Sequence, residues 1–227
     1  KGSGMIQPNM ATMLGFIATD AVIPASMLDG MLRAAVNLSF NRITVDGDTS
    51  TNDAVTLSAT GQSDFVVSPT APEEALAFQA ALNELAIALA QDIIRDGEGA
   101  TKFVEIEVLD ARSVDEADRV ARTIAHSPLV KTALFASDPN WGRILAAVGR
   151  AGVEDLDVDT VSLSLNGVLI AEKGARAQNY TEQAGVAAMA PEDLLISVNL
   201  ARGNQAATIW TTDFSYDYVK INAEYRT

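Results

Sequence analysis

Apolar side chains recur along this chain with two different periods, and the switches between them mark out its elements. Residues 13–19 are almost continuously apolar and predict a buried strand. Pro24, Ala25 and Ser26 then open a helix, with Met27, Leu28, Met31, Leu32, Ala35, Val36 and Phe40 at helical spacing. Ile43, Thr44 and Val45 read as a short strand. Residues 54–59 alternate, Val55 and Leu57 apolar against Thr56 and Ser58, as a half-buried strand requires. A linker punctuated by Pro69 and Pro72 leads into a long helix reaching Ile94. Glu73 and Glu74 lie in its first turn, where carboxylates suit the positive end of the helix dipole.

Beyond that helix, Phe103, Val104, Ile106, Val108 and Leu109 predict a strand, and Ser113 is placed to cap a helix over 114–125. Residues 128–136 are mixed apolar, and 143–150 read as helical. Strands follow at 161–165 and 168–171 around an Asn166-Gly167 hairpin turn, and again at 194–200 and 205–212. The closing stretch 217–225 alternates once more. Helices and antiparallel-type strands in blocks, without regular βαβ spacing, predict an α+β fold, a layered αββα sandwich. A boundary near Ser127-Pro128 would divide 12–127 from a C-terminal α/β region at 128–227.

Composition narrows the function classes. The region 75–94 is the longest apolar one, but Gln79, Asn83, Glu84, Gln91 and Asp92 interrupt it, so an amphipathic helix is expected and no membrane span. The net charge of −14 argues against nucleic acid, whose phosphates need clustered Lys and Arg. The chain has no cysteine, which removes disulfides and thiolate chemistry, and no signal peptide is visible, so a cytoplasmic protein is expected. His126 is the only histidine, so no His-rich metal site can be built. It falls at the end of the 114–125 helix, where the dipole favours its charged form.

Thr12 is the first candidate for chemistry. A threonine hydroxyl is a poor nucleophile without a neighbouring base, and cutting the chain before it supplies one, the new α-amino group. That amine titrates close to cellular pH, as a general base should. Ala11 is small and the approach is glycine-rich, both of which suit attack of the Thr12 hydroxyl on the Ala11 carbonyl. On residue chemistry alone, Thr12 reads first as an ordinary residue at the start of a strand. Glu98, between Gly97 and Gly99, is either a solvated turn residue or a carboxylate aimed at a ligand. The loop 46–53 has acidic and hydroxyl side chains at alternate positions. It fails as a calcium loop because Thr51 stands where glycine is needed and Leu57 where the bidentate glutamate belongs. Side-chain-to-backbone hydrogen bonds are its expected role. Around Trp141, 138–143 reads as a turn with a packed indole, and no site is assigned there.

The residues Lys1, Gly2, Gly4, Met5, Pro8, Ala11, Thr12, Met13 and Leu14 resemble the processing site of the ornithine acetyltransferase (glutamate N-acetyltransferase) family, whose precursors cleave themselves at an Ala-Thr bond. The stretch 96–102, Asp-Gly-Glu-Gly-Ala-Thr-Lys, and the closing Ile-Asn-Ala-Glu-Tyr-Arg-Thr of 221–227 are similar to the same family. The resemblance covers the whole chain. It implies that 1–11 is the tail of an α chain, that cleavage falls between Ala11 and Thr12, and that Thr12 is the nucleophile. It further implies that Lys1, Thr12, Glu98, Asn222 and Thr227 bind substrate.

The activity implied is transfer of acetyl from N-acetylornithine to glutamate through an acetyl-threonine ester, in ping-pong fashion. No metal or bound organic cofactor is implied, and acetyl-CoA is a further possible co-substrate. The family's oxyanion hole, a Thr-Gly pair, lies in the α chain upstream of Lys1. An α-chain partner from the same precursor, in an α2β2 or larger assembly, is therefore implied as well. A self-processing amidohydrolase or aminopeptidase would use the same nucleophile with water as acceptor. A non-catalytic interaction domain would leave Thr12 as an ordinary strand residue.

Overall fold

The computed structural model describes residues 3–8, 13–52 and 54–224. The chain divides into two compact units, one running from Met5 to Ile93 and one from Ile94 onward that also takes in Ser3 and Gly4.

In the first unit, β1 (Leu14–Thr19) and β2 (Ala54–Ala59) pair in parallel, Leu14 opposite Ala54 and Thr19 opposite Ala59. A parallel pair needs a crossover, and α1 (Ala25–Leu38) provides it. The helix ends where the Ser39 hydroxyl donates to the Ala35 carbonyl at 2.6 Å, followed by a 3-10 turn at Phe40–Arg42. α2 (Pro72–Arg95) supplies Leu82, Ala86 and Ala90 to the buried set, which also holds Ala35, Val36, Phe40, Ile43 and Val45.

Two expectations are corrected here. The 13–19 stretch is not a buried strand: Leu14 is 68% and Phe16 77% exposed, and only Ile17 is buried. Successive strand residues point to opposite sides, and nothing described covers the Leu14, Phe16 and Ala18 side. Ile43 to Val45 is buried but belongs to none of the strands. Its Val45 amide donates to the Ile6 carbonyl at 2.8 Å.

The second unit is organised on a six-stranded sheet built from β3 (Phe103–Ala111), β4 (Ser162–Leu165), β5 (Val168–Glu172), β6 (Ala175–Arg176), β7 (Asp193–Asn199) and β8 (Gln205–Thr212). Their order across the sheet is β6-β5-β4-β7-β3-β8. β3 runs parallel to β7, and the other pairings are antiparallel. β3 and β7 are both interior strands, and Val104, Ile106, Val108, Ile196 and Val198 are fully buried. α3 (Val114–Ala125) starts at Ser113, whose hydroxyl accepts from the Glu116 amide, and packs on β3 and β8.

The mixed apolar stretch after it is a helix, α4 (Pro128–Phe135), with Ser127 as cap and proline in its first turn. α5 (Trp141–Gly149) begins two residues earlier than expected because the Asn140 side chain accepts from the Arg143 amide. A further helix, α6 (Glu182–Met189), is capped by Thr181. The alternating reading of 217–225 is overturned. Residues Tyr216–Glu224 form a helix, α7, started by the Ser215 hydroxyl, which accepts from the Tyr218 amide at 3.2 Å. Phe214 and Tyr218 stack there, ring centroids 4.7 Å apart. The α+β class is the one read from the sequence, and among the described residues no helix is long and apolar enough to cross a membrane.

Candidate active site

At the C-terminal end of α2 the Arg95 guanidinium binds both Asp193 carboxylate oxygens, at 2.6 and 2.8 Å, and lies 4.0 Å from the Phe103 ring centroid. The same guanidinium holds the Asp193 carboxyl below its ordinary range. From this anchored end the chain turns through Gly97 and carries Glu98 into contact with the start of the protein. The Ser3 amide donates to the Asp96 carbonyl at 2.6 Å, and the Glu98 amide donates to the Ser3 carbonyl at 2.9 Å. These two bonds form a short parallel bridge that lays Gly4 against the Glu98 side chain. A side chain on Gly4 would place its first carbon 2.6 Å from a Glu98 carboxylate oxygen, so only glycine fits without displacing that carboxylate.

From the other side, the Asn222 amide on α7 donates to Glu98 Oε2 at 2.9 Å and to the Tyr218 carbonyl at 3.0 Å. The second bond is a one-turn contact that fixes the Asn222 side chain along its own helix. Two of the sequence-predicted binding residues are thus in contact, with Ser3-Gly4 of the glycine-rich opening beside them. Glu98 is half-buried and Asn222 exposed. A carboxylate held by one amide keeps acceptor capacity for a cationic group, which is the chemistry an ammonium-bearing substrate asks for. Lys1, Ala11, Thr12 and Thr227 lie outside the described residues.

In the other unit the described part of the loop, 46–52, behaves as its side chains suggest. Asp46 accepts from the amides of Met5 at 2.7 Å, Ile6 at 3.1 Å and Asp48 at 3.2 Å. Met5 adopts a left-handed backbone (φ 56°), and the Thr49 hydroxyl donates to the Gln7 carbonyl at 3.0 Å. The loop therefore ties down the segment that leads toward Ala11-Thr12. Among the described residues, no group of side chains is arranged to hold a metal ion.

His126 caps the end of α3, as expected, but its predicted preference for the charged form is wrong. Burial first, then the nearby charges of Arg122, Lys131 and Arg150, push its pKa down to about 4. Among the described residues its buried Nε2 has no hydrogen-bond partner. Trp141 is partly buried against the core and borders an open groove of about 400 Å³ with Arg176, Tyr180 and Glu182.

Sequence reasoning missed Asp213 and Ser215, which lie between β8 and α7. Both are buried, and both bond to the loop that carries Glu98. Their partners stand more than a hundred positions away in the chain, so no local pattern points to them.

Comparison with known proteins agrees with this picture. A family model described as the ArgJ family matches residues 1–227. The arginine biosynthesis bifunctional proteins ArgJ of Pseudomonas syringae pv. tomato and Psychrobacter arcticus are 57% and 58% identical to the chain. Each match covers 100% of this chain and 56% of the relative. The chain thus spans little more than half the length of these curated relatives. The crystal structure of a Bacillus halodurans arginine biosynthesis bifunctional protein ArgJ superposes with a TM-score of 0.87 at 42% identity, covering 94% of this chain and 100% of that one. That likeness fits the α+β sandwich read from the sequence.

Proposed function

Because this chain belongs to the ArgJ family, we propose that it forms the nucleophile-bearing part of an acetyltransferase of arginine biosynthesis. In this reading the complete protein moves acetyl from N-acetylornithine to glutamate, and acetyl-CoA serves as a second acetyl donor. The observation that carries the reading is the Glu98–Asn222 contact beside Ser3-Gly4, which brings together two segments the family resemblance marks for substrate binding.

In the proposed mechanism, cleavage of Ala11-Thr12 frees the Thr12 amine. That amine takes the proton as the Thr12 hydroxyl attacks the acetyl carbonyl, and returns it to the departing ornithine nitrogen. An acetyl ester remains on Thr12. The amino group of glutamate then attacks the ester, and N-acetylglutamate leaves as the hydroxyl is regenerated. Glu98, with Asn222, grips a substrate ammonium. Lys1 pairs with a substrate carboxylate, and Thr227 closes the site from the chain end. The oxyanion is held by donors from the upstream α portion, within an α2β2 or larger cytoplasmic assembly. One such donor is worth about 3–4 kcal/mol, so the 227-residue chain alone is expected to be nearly inactive. The chemistry calls for no metal or bound organic cofactor.

The test uses the complete precursor. Intact mass should reveal a species beginning at Thr12, and N-acetylornithine with glutamate should give ornithine and N-acetylglutamate. Thr12→Ala should abolish both events. Full acetyl transfer by that variant would sink the reading. Free acetate as the main product, formed without glutamate, would favour an amidohydrolase instead.

A further inference from the structure

Glu98 and Asn222 come from segments far apart in sequence, and their 2.9 Å contact depends on two elements being held in register. The three residues between β8 and α7 do this from both sides at once. Asp213 is buried (2% exposed), and its carboxylate receives the Thr101 amide at 2.9 Å and the Lys102 amide at 3.0 Å on one oxygen. The other oxygen takes the Thr101 hydroxyl at 2.5 Å. Ser215, also buried, donates its hydroxyl to the Gly99 carbonyl at 2.6 Å and accepts the Tyr218 amide that begins α7. Gly99 has φ 65°, and a methyl group there would lie 2.5 Å from the Tyr218 amide nitrogen, so the first turn of α7 rests directly on the loop.

The junction itself is anchored from below. The Lys131 carbonyl accepts the Phe214 amide at 3.2 Å. Its buried ammonium donates to the Thr211 hydroxyl at 2.9 Å and to the Thr212 carbonyl, 4.5 Å from the Phe214 ring centroid. Short, charge-assisted bonds to consecutive backbone amides fix a loop more firmly than packing alone. Neither Asp213 nor Ser215 contacts Glu98 or Asn222 in any of these bonds. Their effect passes through the backbone that carries those two side chains.

We propose that Asp213, with Ser215, is the positioning residue that registers Glu98 against Asn222 and thereby sets the affinity for the ammonium group of the substrate. The proposal rests on the acetyltransferase reading above for the identity of that substrate.

The complete precursor should be compared as wild type, Asp213→Ala, Asp213→Asn, Thr101→Val, Ser215→Ala, Glu98→Gln and the double variant Asp213→Ala/Glu98→Gln. Loss of charge-assisted bonds of this kind corresponds to about a tenfold rise in KM for N-acetylornithine in Asp213→Ala, with a smaller change in kcat. Asparagine can still accept both backbone amides through its single carbonyl oxygen, so Asp213→Asn should recover most of the wild-type KM. Thr101→Val and Ser215→Ala should each raise KM about threefold. Should Asp213→Ala fail to fold, Thr101→Val breaks the same clamp from its other side.

In the Glu98→Gln background, Asp213→Ala should add little, because the group it positions is already impaired. Amide exchange over 97–102 should accelerate in Asp213→Ala and stay near wild type in Asp213→Asn. A wild-type KM in Asp213→Ala, a fully multiplicative double variant, or unchanged exchange over 97–102 would each overturn the proposal. If the wild-type precursor turns over neither substrate, the acetyltransferase reading fails, and the exchange experiment still decides whether the clamp exists.

Discussion

In the Met5–Ile93 unit, Leu14 and Phe16 are 68% and 77% exposed, whereas in the unit from Ile94 onward Ile106, Ile196 and Ile209 are all at 0%. The side chains are similar; the sheets that hold them are not. A parallel pair of strands has two open edges and little to stack its outer face on, and two strands alone are at best marginal in water. Six strands with α3 laid across β3 and β8 bury Val104, Ile106, Val108, Ile196, Val198 and Ile209 completely. The described part of the candidate site, Glu98 and Asn222, sits wholly in the second unit. The candidate nucleophile Thr12 falls within the sequence span of the first. Gripping a substrate asks for a rigid backing, which the six-stranded sheet supplies.

Both tryptophans, Trp141 and Trp210, lie in the unit from Ile94 onward, so indole fluorescence reports that unit and the contrast can be tested directly. The largest effect is expected from Ile106→Ala. Truncating a fully buried β3 side chain should cost about 2–5 kcal/mol, read as a lower urea midpoint of the fluorescence transition in the 227-residue chain. Lys131→Met comes next. It leaves the Thr211 hydroxyl and Thr212 carbonyl short of a donor in a buried place and should cost about 1–3 kcal/mol by the same measurement.

His126 gives a smaller, pH-dependent effect. Its folded pKa, about 4, lies below its ordinary value of 6.5, so between these limits the unfolded chain binds the extra proton. Stability should therefore be fully present above about pH 6.5 and decline as pH falls toward 4, and His126→Asn should flatten that slope. An unaltered slope would mean that His126 is not the group responsible. The smallest effect is expected from Phe16→Ser, within about 0.5 kcal/mol in the 227-residue chain. A fluorescence shift there as large as that of Ile106→Ala would erase the distinction between the units.

Elements with a local cause were legible in the sequence. Ser113 and the 114–125 helix agree to the residue, because the capping hydroxyl and the amphipathic face point the same way. The Asn166-Gly167 turn between β4 and β5 was equally clear, since both residues take positive φ there. Where the deciding contact is distant, the sequence misled. Residues 217–225 alternate well enough for a strand, but Ser215 caps a helix and Phe214 stacks on Tyr218 across its first turn. The 13–19 stretch looked buried because every side chain but Thr19 is apolar or small, and hydropathy does not say which face finds a partner. Of the site, Glu98 was singled out by its flanking glycines but given a substrate role only by family resemblance, and Asn222 was reached through that resemblance alone. Asp213 was not reached at all, its value being set by contact with Thr101 and Lys102, more than a hundred positions away in sequence.

The bridge between Ser3 and Asp96–Glu98 has a consequence for how the protein would look after cutting. A break at Ala11-Thr12 leaves Ser3 and Gly4 on one product and Glu98 on the other. The two backbone bonds at Ser3 would then join separate polypeptides. Such a molecule would run as two bands when denatured and as one particle when native. Its severed tail would be retained as a tenant of the binding cleft, and a short synthetic copy of that tail could be asked to evict it.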